Sequence, residues 1–271
     1  MKPLRFTPRQ LFLSFLVGGL VISGLLPTQP ANAAIGFIKE VGTASTKTAG
    51  TATSITVPAG GVTAGNSLIV LFSMNDNSNA VAVTDSRGNV YTVDADANAG
   101  TNDRVRTVIL SAHNVTALNA GDLITVTHTS IGARSLSVVE FTGLAPSGAL
   151  DRTGTAINQS STPSVAITQT TQLANELIIA NFGLDGPLDD DFTRDAAYTA
   201  LTEVGTTGGA PASNNTINPL YRIVSATGIY SANNSNSTSN GAVRRWAAAI
   251  ATYRMGFPTP TPTNTATHTP S

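Results

Sequence analysis

Between Ile35 and Phe257 the apolar residues do not recur at the three-and-four spacing of a helix. They come in short runs rich in Val, Ile, Leu and Thr, cut by clusters of Gly, Asn, Asp and Ser, which is the pattern of many short strands. Strands are expected at 54–57, 67–72, 80–84, 90–93, 104–112, 123–128, 135–141, 164–168, 176–182, 220–225 and 245–254. The turn formers Asp85, Ser86, Arg87, Gly88 and Asn89 separate two of these runs, and a hairpin with Gly88 at positive φ is expected there. The fold class that follows is all-β, an antiparallel β-sandwich.

A phrase recurs along the chain. Ala64 to Val70, Ala120 to Thr125 and Leu173 to Ile179 each lead from a small residue and a turn former into a Leu-Ile strand. The first and third also follow a Thr-rich alternating strand, and Tyr221 to Val224 and Trp246 to Tyr253 stand in the second half where Arg104 to Leu110 and Leu136 to Phe141 stand in the first. This reads either as an internal duplication, with a seam near 146–164, or as strand starts that look alike for local reasons. Two half-repeats would each supply one sheet, or alternate strands between sheets, of one sandwich.

The ends differ from the middle. Lys2, Arg5 and Arg9, an apolar stretch from Leu11 to Leu26, and Ala31-Asn32-Ala33 have the order of a signal peptide with its cleavage site, so 1–33 is expected to be removed. The stretch holds Gly18, Gly19, Ser23 and Gly24, and is shorter than the roughly 20 residues of a spanning helix. Residues 258–271 alternate Pro with Thr, an extended stalk or linker open to O-glycosylation, and leave 34–257 as the β domain. Localisation is therefore expected to be secreted or cell-surface, with no integral membrane segment after cleavage.

Charged residues make up 11% of the chain, against roughly 25% in ordinary soluble domains. Without Lys2, Arg5 and Arg9, twelve basic residues face sixteen acids, so the mature protein carries a net charge near −4 and no basic footprint for nucleic acid. Cysteine is absent, which excludes disulfides, thiolate metal sites and a cysteine nucleophile.

The series Asp85-Ser86, Gly88-Asn89 and Tyr91, then Val139 to Leu144, then Glu176 to Ile179, and finally Tyr221 with Trp246 to Ile250, resembles a jelly-roll-like β-sandwich module of bacterial secreted and cell-surface proteins. The resemblance spans roughly residues 45 to 255 and implies fold and location, with no assigned activity.

Candidate chemistry is sparse. Asp94, Asp96, Asn98 and Asp103, read as a loop after the strand at 90–93, alternate oxygen ligands as a Ca²⁺ loop does; Ala99 and Val105 stand where an EF-hand has Gly and Glu, and a solvated turn is the competing reading. Asp185, Asp189, Asp190 and Asp191 form a second acidic group, with Arg194 near enough in sequence to neutralise one of them. The mature chain has four Glu, among them Glu140, which shares a strand face with Leu136 and Val138. Burial on that face would give it the surroundings of an acid catalyst; at the strand end it would instead pair with an Arg. A glycan hydrolase needs a second carboxylate across the bond, which a loop Asp would have to supply.

His113 and His128 each close a strand, and no Gly-x-Ser-x-Gly elbow or phosphate loop is present. Trp246, Ala248 and Ile250 alternate to one face, a core pattern, which leaves Tyr91, Tyr198, Tyr221 and Tyr230 as candidate ligand contacts. Three functions are carried forward: a non-catalytic module that binds a glycan or another surface component, a secreted glycan hydrolase using Glu140, and a self-assembling surface-layer or fibre subunit.

Overall fold

The structure, a computed structural model, describes residues 34–75, 77–98, 105–190, 192–236 and 243–256. The signal-peptide segment and the Thr-Pro tract of the sequence reading lie outside them. The strands in chain order are β1 (Gly36–Thr46), β2 (Gly50–Thr56), β3 (Ser67–Met74), β4 (Ala82–Asp85), β5 (Thr92–Ala97), β6 (Arg106–Ala112), β7 (Leu123–Ile131) and β8 (Arg134–Thr142). Then come β9 (Leu150–Ser160), β10 (Ser164–Ala166), β11 (Asn175–Leu184), β12 (Phe192–Arg194), β13 (Thr199–Ala200), β14 (Val204–Gly205), β15 (Thr216–Ser225), β16 (Ser231–Asn236) and β17 (Arg244–Arg254). A single 3-10 turn at Pro211–Ser213 is the one helical element among the described residues.

The result is a multi-sheet antiparallel all-β fold compatible with a β-sandwich. β1-β8-β3-β6-β5 form one large sheet and β2-β7-β4 a small one; β9-β17-β11-β15-β13 form a second large sheet, with β14 also on β15, and β10-β16-β12 a second small one. Strand for strand, the second pair of sheets repeats the order of the first. Residues 143–149 carry the chain from one pair to the other.

Side-chain alternation explains the layers. In β3, Ile69 and Leu71 join Val139, Phe141, Leu177, Ile179 and Tyr253 in a cluster between the large sheets. Leu68, Val70 and Phe72 turn the other way, onto Ile55, Ile124 and Val126 of the first small sheet. In β17, Ala247, Ala249 and Ala251 face the central cluster, while Trp246, Ala248 and Ile250 pack with Val165, Phe192 and Ala232 of the second small sheet. Trp246 is thus a core residue, its indole N–H donating to Ser160 Oγ at 2.9 Å. A strand covered on both faces is apolar at most positions, which is why β3, β8, β11 and β17 read as largely apolar runs broken by small or hydrogen-bonding residues such as Ser73, Ser137 and Asn181.

The recurring phrase is out of step with this geometry by one residue. Leu68 and Leu177 match in the phrase, yet Leu68 faces a small sheet and Leu177 faces the central cluster. Since side chains alternate with period two, a one-residue slip exchanges the faces.

Three local expectations need correction. The turn at Asp85–Asn89 forms, with Gly88 at φ +73° and Asp85 Oδ1 accepting from the amides of Arg87 and Asn89, but it is not a hairpin. β4 pairs with β7 and β5 with β6, so this turn moves the chain between layers. The presumed loop around Asp94 and Asp96 is strand: β5 starts at Thr92 and runs to Ala97, with a bulge between Val93 and Ala95, because Ala95 and Ala97 find the central cluster. β1 and β9, the longest polar strands, escaped the sequence reading because each edges a large sheet and lacks the apolar run of an inner strand.

Burial sets the energetic scale. Leu71→Ala, at 0% exposure, is expected to lower stability by about 2–5 kcal/mol. Val90→Ala, at 81% exposure, should change it by less than about 0.5 kcal/mol. Urea titration of the two variants beside the parent protein measures both.

Candidate functional site

The first acidic group divides at the bulge in β5. Asp94 Oδ2 accepts a 2.6 Å hydrogen bond from the hydroxyl of Tyr253, a fully buried residue of the central cluster. Burial raises the Asp94 pKa, against the opposing hydrogen bonds from Ser111, Tyr253 and Thr92. Asp96 instead takes a two-pronged ion pair from Arg106, Nε to Oδ1 at 2.9 Å and a terminal nitrogen to Oδ2 at 2.6 Å. The other terminal nitrogen of Arg106 donates to the carbonyls of Asn77 and Asn79, and Asn98 Nδ2 reaches the Asn77 carbonyl at 3.4 Å. Asp103 lies outside the described residues. Asp94 and Asp96 therefore answer to different partners, and a guanidinium holds the place a cation would take beside Asp96.

The second acidic group gathers around an arginine as well, though not Arg194, which pairs with Glu203 at 3.1 Å. Arg244, at the start of β17, makes the two-pronged contact with Asp190 at 2.5 and 2.9 Å. That hydrogen bond, with the charges of Asp190, Asp185 and Asp189, raises the Arg244 pKa. Asp191 lies outside the described residues. Among the described residues no group of three or more His, Cys, Asp or Glu side chains is arranged to hold a metal ion.

Glu140 is fully buried where β8 meets the start of β3, at the end of the face it shares with Leu136 and Val138. Oε1 accepts from Asn66 Nδ2 at 2.6 Å and from the Thr63 amide at 2.9 Å; Oε2 faces Lys39 Nζ at 3.6 Å. The cationic partner is thus the β1 lysine rather than an arginine. Lys39 also donates to the Gly61 carbonyl.

The second half buries a carboxylate in the matching place. Leu68 pairs with Glu140 and Ile178 with Thr252; Asn66 and Glu176 each stand two residues earlier on their chains. Acid and neutral partner have exchanged strands. Burial, together with the neighbouring Asp151, pushes the Glu176 pKa up to about 7 against a hydrogen bond from Thr252. Burial also acts on Asp151 but is outweighed by hydrogen bonds from Arg254 at 2.7 Å and the Gln172 amide at 2.6 Å, so its pKa falls. Two carboxylates in contact beside an arginine form an acid pair that sequence reasoning missed, because Asp151 and Glu176 are joined only by the pairing of β9 and β11 with β17.

His113 and His128 are both turned inward. His113 shares hydrogen bonds of 2.9 Å with Ser67 Oγ at Nδ1 and Ser111 Oγ at Nε2, and burial lowers its pKa to about 4. His128 stacks on Phe72 and bonds the Thr129 carbonyl, its pKa also lowered by burial. The tyrosines have internal partners too: Tyr91 donates to Asp85, Tyr198 to the Ser231 carbonyl and Tyr230 to the Ala226 carbonyl, while Tyr221 stacks on Phe37 at 5.2 Å.

Among the described residues, grooves lie at opposite ends of β11 and β17. One, of about 370 Å³, is lined by Ala34, Ile35, Asn175, Ile223, Val224 and Met255, so the two ends of the described chain meet there. The other, of about 260 Å³, is lined by Gln159, Asp185, Ala212, Val243, Arg244 and Arg245 and is mostly polar. Sequence analysis reached its acids but not Gln159 or Ala212, which the ends of β9 and the 3-10 turn bring in. The chain matches no family model, no curated protein and no solved structure.

The titrations have opposite signs. Between pH 4.5 and about 7, folded Glu176 keeps a proton that the unfolded chain has released, so its contribution to stability is lost as pH rises through this window. Glu176→Gln should melt higher than the parent at pH 8 and converge with it near pH 4.5 in thermal scans. His113 acts the other way: below pH 6.5 the unfolded imidazole binds a proton that the folded one refuses until about pH 4. His113→Gln should flatten the acid limb of the same scans.

Proposed function

We propose that this protein is an exported, non-catalytic module of the extracellular space or cell surface, built from jelly-roll-like sandwich halves and carried on its Thr-Pro stalk, which binds a glycan or a similar hydroxyl-rich surface component. The observation that carries this reading is the placement of the two grooves. The described chain begins and ends at one of them, so a tether attached there leaves the polar groove near Gln159 and Arg245 facing away. Planar amide, carboxylate and guanidinium groups side by side suit the paired hydroxyls of a sugar. The interior acids and bases support the non-catalytic part, since Glu140, Asp96, Asp151 and Asp190 are all tied to cationic side chains of the fold. Thermal unfolding of residues 34–257 against a glycan panel tests it. A binding sugar should raise the midpoint with concentration, and Gln159→Ala should erase the rise without moving the unliganded midpoint. No shift with any glycan removes the binding reading.

One observation also favours self-association. β9 ends its sheet, and from Thr153 to Ser160 it pairs with β17 without a bulge and without a charged residue or proline. Natural edges normally carry such blocks against pairing with another chain, and β1, with two bulges, Lys39 and Glu40, does. Sedimentation over a concentration series should show dimers that Thr155→Lys disperses; a monomer throughout would end this reading.

A further inference from the structure

The three side chains at the first buried carboxylate are a lysine, a carboxamide and an acid, and they come from adjacent strands of one sheet. Lys39 lies on β1, Glu140 on the neighbouring β8, and Asn66 immediately before β3 on the other side of β8. Glu140 touches both others, at 3.6 Å from Lys39 Nζ and 2.6 Å from Asn66 Nδ2. Two of the three are enclosed, Glu140 at 0% and Asn66 at 8% exposure, while the Lys39 side chain reaches in from the sheet edge at 29%. The loop at Gly60 and Gly61 lies over the lysine, and a Cβ on Gly61 would come 2.3 Å from the Leu118 carbonyl oxygen, so that close course requires glycine.

The geometry points to a covalent bond that the protein makes within itself, an amide between Lys39 Nζ and Asn66 Cγ formed with Glu140 as the proton carrier. Glu140 takes a proton from the Lys39 ammonium, and the freed amine attacks Asn66 Cγ. The Cγ–Nδ2 bond then breaks, and Glu140 hands its proton to Nδ2, the nitrogen already bonded to it. The second proton lost by Nζ leaves on the same ammonia, so one ammonium and one neutral amide replace an ammonium and a carboxamide. No oxidant, cofactor or added reactant is needed. Burial of Glu140 and Asn66 limits competing water at the electrophile, and the shared carboxylate holds amine and amide on its two oxygens, the kind of placement worth effective concentrations of about 10⁵ M or more.

Two comparisons within the molecule sharpen the assignment. In the second half Glu176 and Thr252 take the places of Asn66 and Glu140, and β9 contributes Asp151 and Arg152, so that copy has neither the amine nor the amide. Lys47 does contact an asparagine, Asn214 Oδ1 at 3.1 Å, but Asn214 Nδ2 is held by the carbonyls of Gly208, Ala210 and Pro211, and no carboxylate is among the described contacts of either. Among the described residues, only the Lys39 site combines nucleophile, electrophile and proton carrier.

Mass spectrometry of the purified full chain decides the matter independently of any ligand. A tryptic digest should yield the peptides carrying Lys39 and Asn66 joined, uncut after Lys39, and lighter than their sum by one ammonia, about 17 Da. Lys47 should be cleaved normally. Glu140→Gln and Lys39→Arg should give separate peptides of full mass while circular dichroism reports an intact β fold, and both should melt below the linked parent. Finding the parent's two peptides separate and of unaltered mass overturns the bond; finding them joined in folded Glu140→Gln overturns the role of Glu140. If a variant fails to fold, the parent digest still gives the answer.

Discussion

Everything in this protein leans on two large sheets that are covered on both faces. Each presents one face to the other sheet and the opposite face to a small three-stranded layer, so β3, β8, β11 and β17 are buried along nearly their whole length. That constraint makes β3, β8, β11 and β17 largely apolar, and it excludes charge, though not Ser137 or Asn181, from the middle of those strands. Alanine at 247, 249 and 251 meets the same constraint by volume, since small side chains on one sheet leave room for Ile69, Leu71 and Phe141 on the other.

With the strand centres closed to charge, ionisable groups collect at strand ends, where loops can supply partners. Glu140 and Glu176 mark corresponding ends of the two halves, and each is compensated differently: the first by a lysine and an asparagine, the second by a shared proton with Asp151 under Arg254. A carboxylate removed from water must have either a counter-charge or a proton, and the two halves display the two solutions side by side. At the other end Arg106 and Arg244 serve the same purpose for Asp96 and Asp190.

The same logic separates structural from functional polarity. Acidic spacing that suggests a calcium loop turns out to feed two different neighbours, Tyr253 and Arg106. What is left over is a polar groove at the far end of β11 and β17 from Ala34 and Met255, and a lysine, an asparagine and a glutamate gathered at one strand end. In a chain without cysteine, the proposed tie between strands would restrain the unfolded chain as a disulfide does.

The all-β class, the position of most inner strands and the core role of Trp246 were legible in the residues alone, because strand periodicity and burial on two faces are local properties written residue by residue. So was the place of Glu140 on the face of Leu136 and Val138. Packing across the sheets settled which layer each strand joined, that β4 and β5 part company at a well-formed turn, and that Leu68 and Leu177 look to opposite sides. It alone brought Lys39 and Asn66 to Glu140, Asp151 to Glu176, and Arg244 rather than Arg194 to Asp190. These partners are distant in the chain and meet through sheet pairing and the loops at strand ends; register is settled by the whole set of packed faces, and no short stretch of residues contains it.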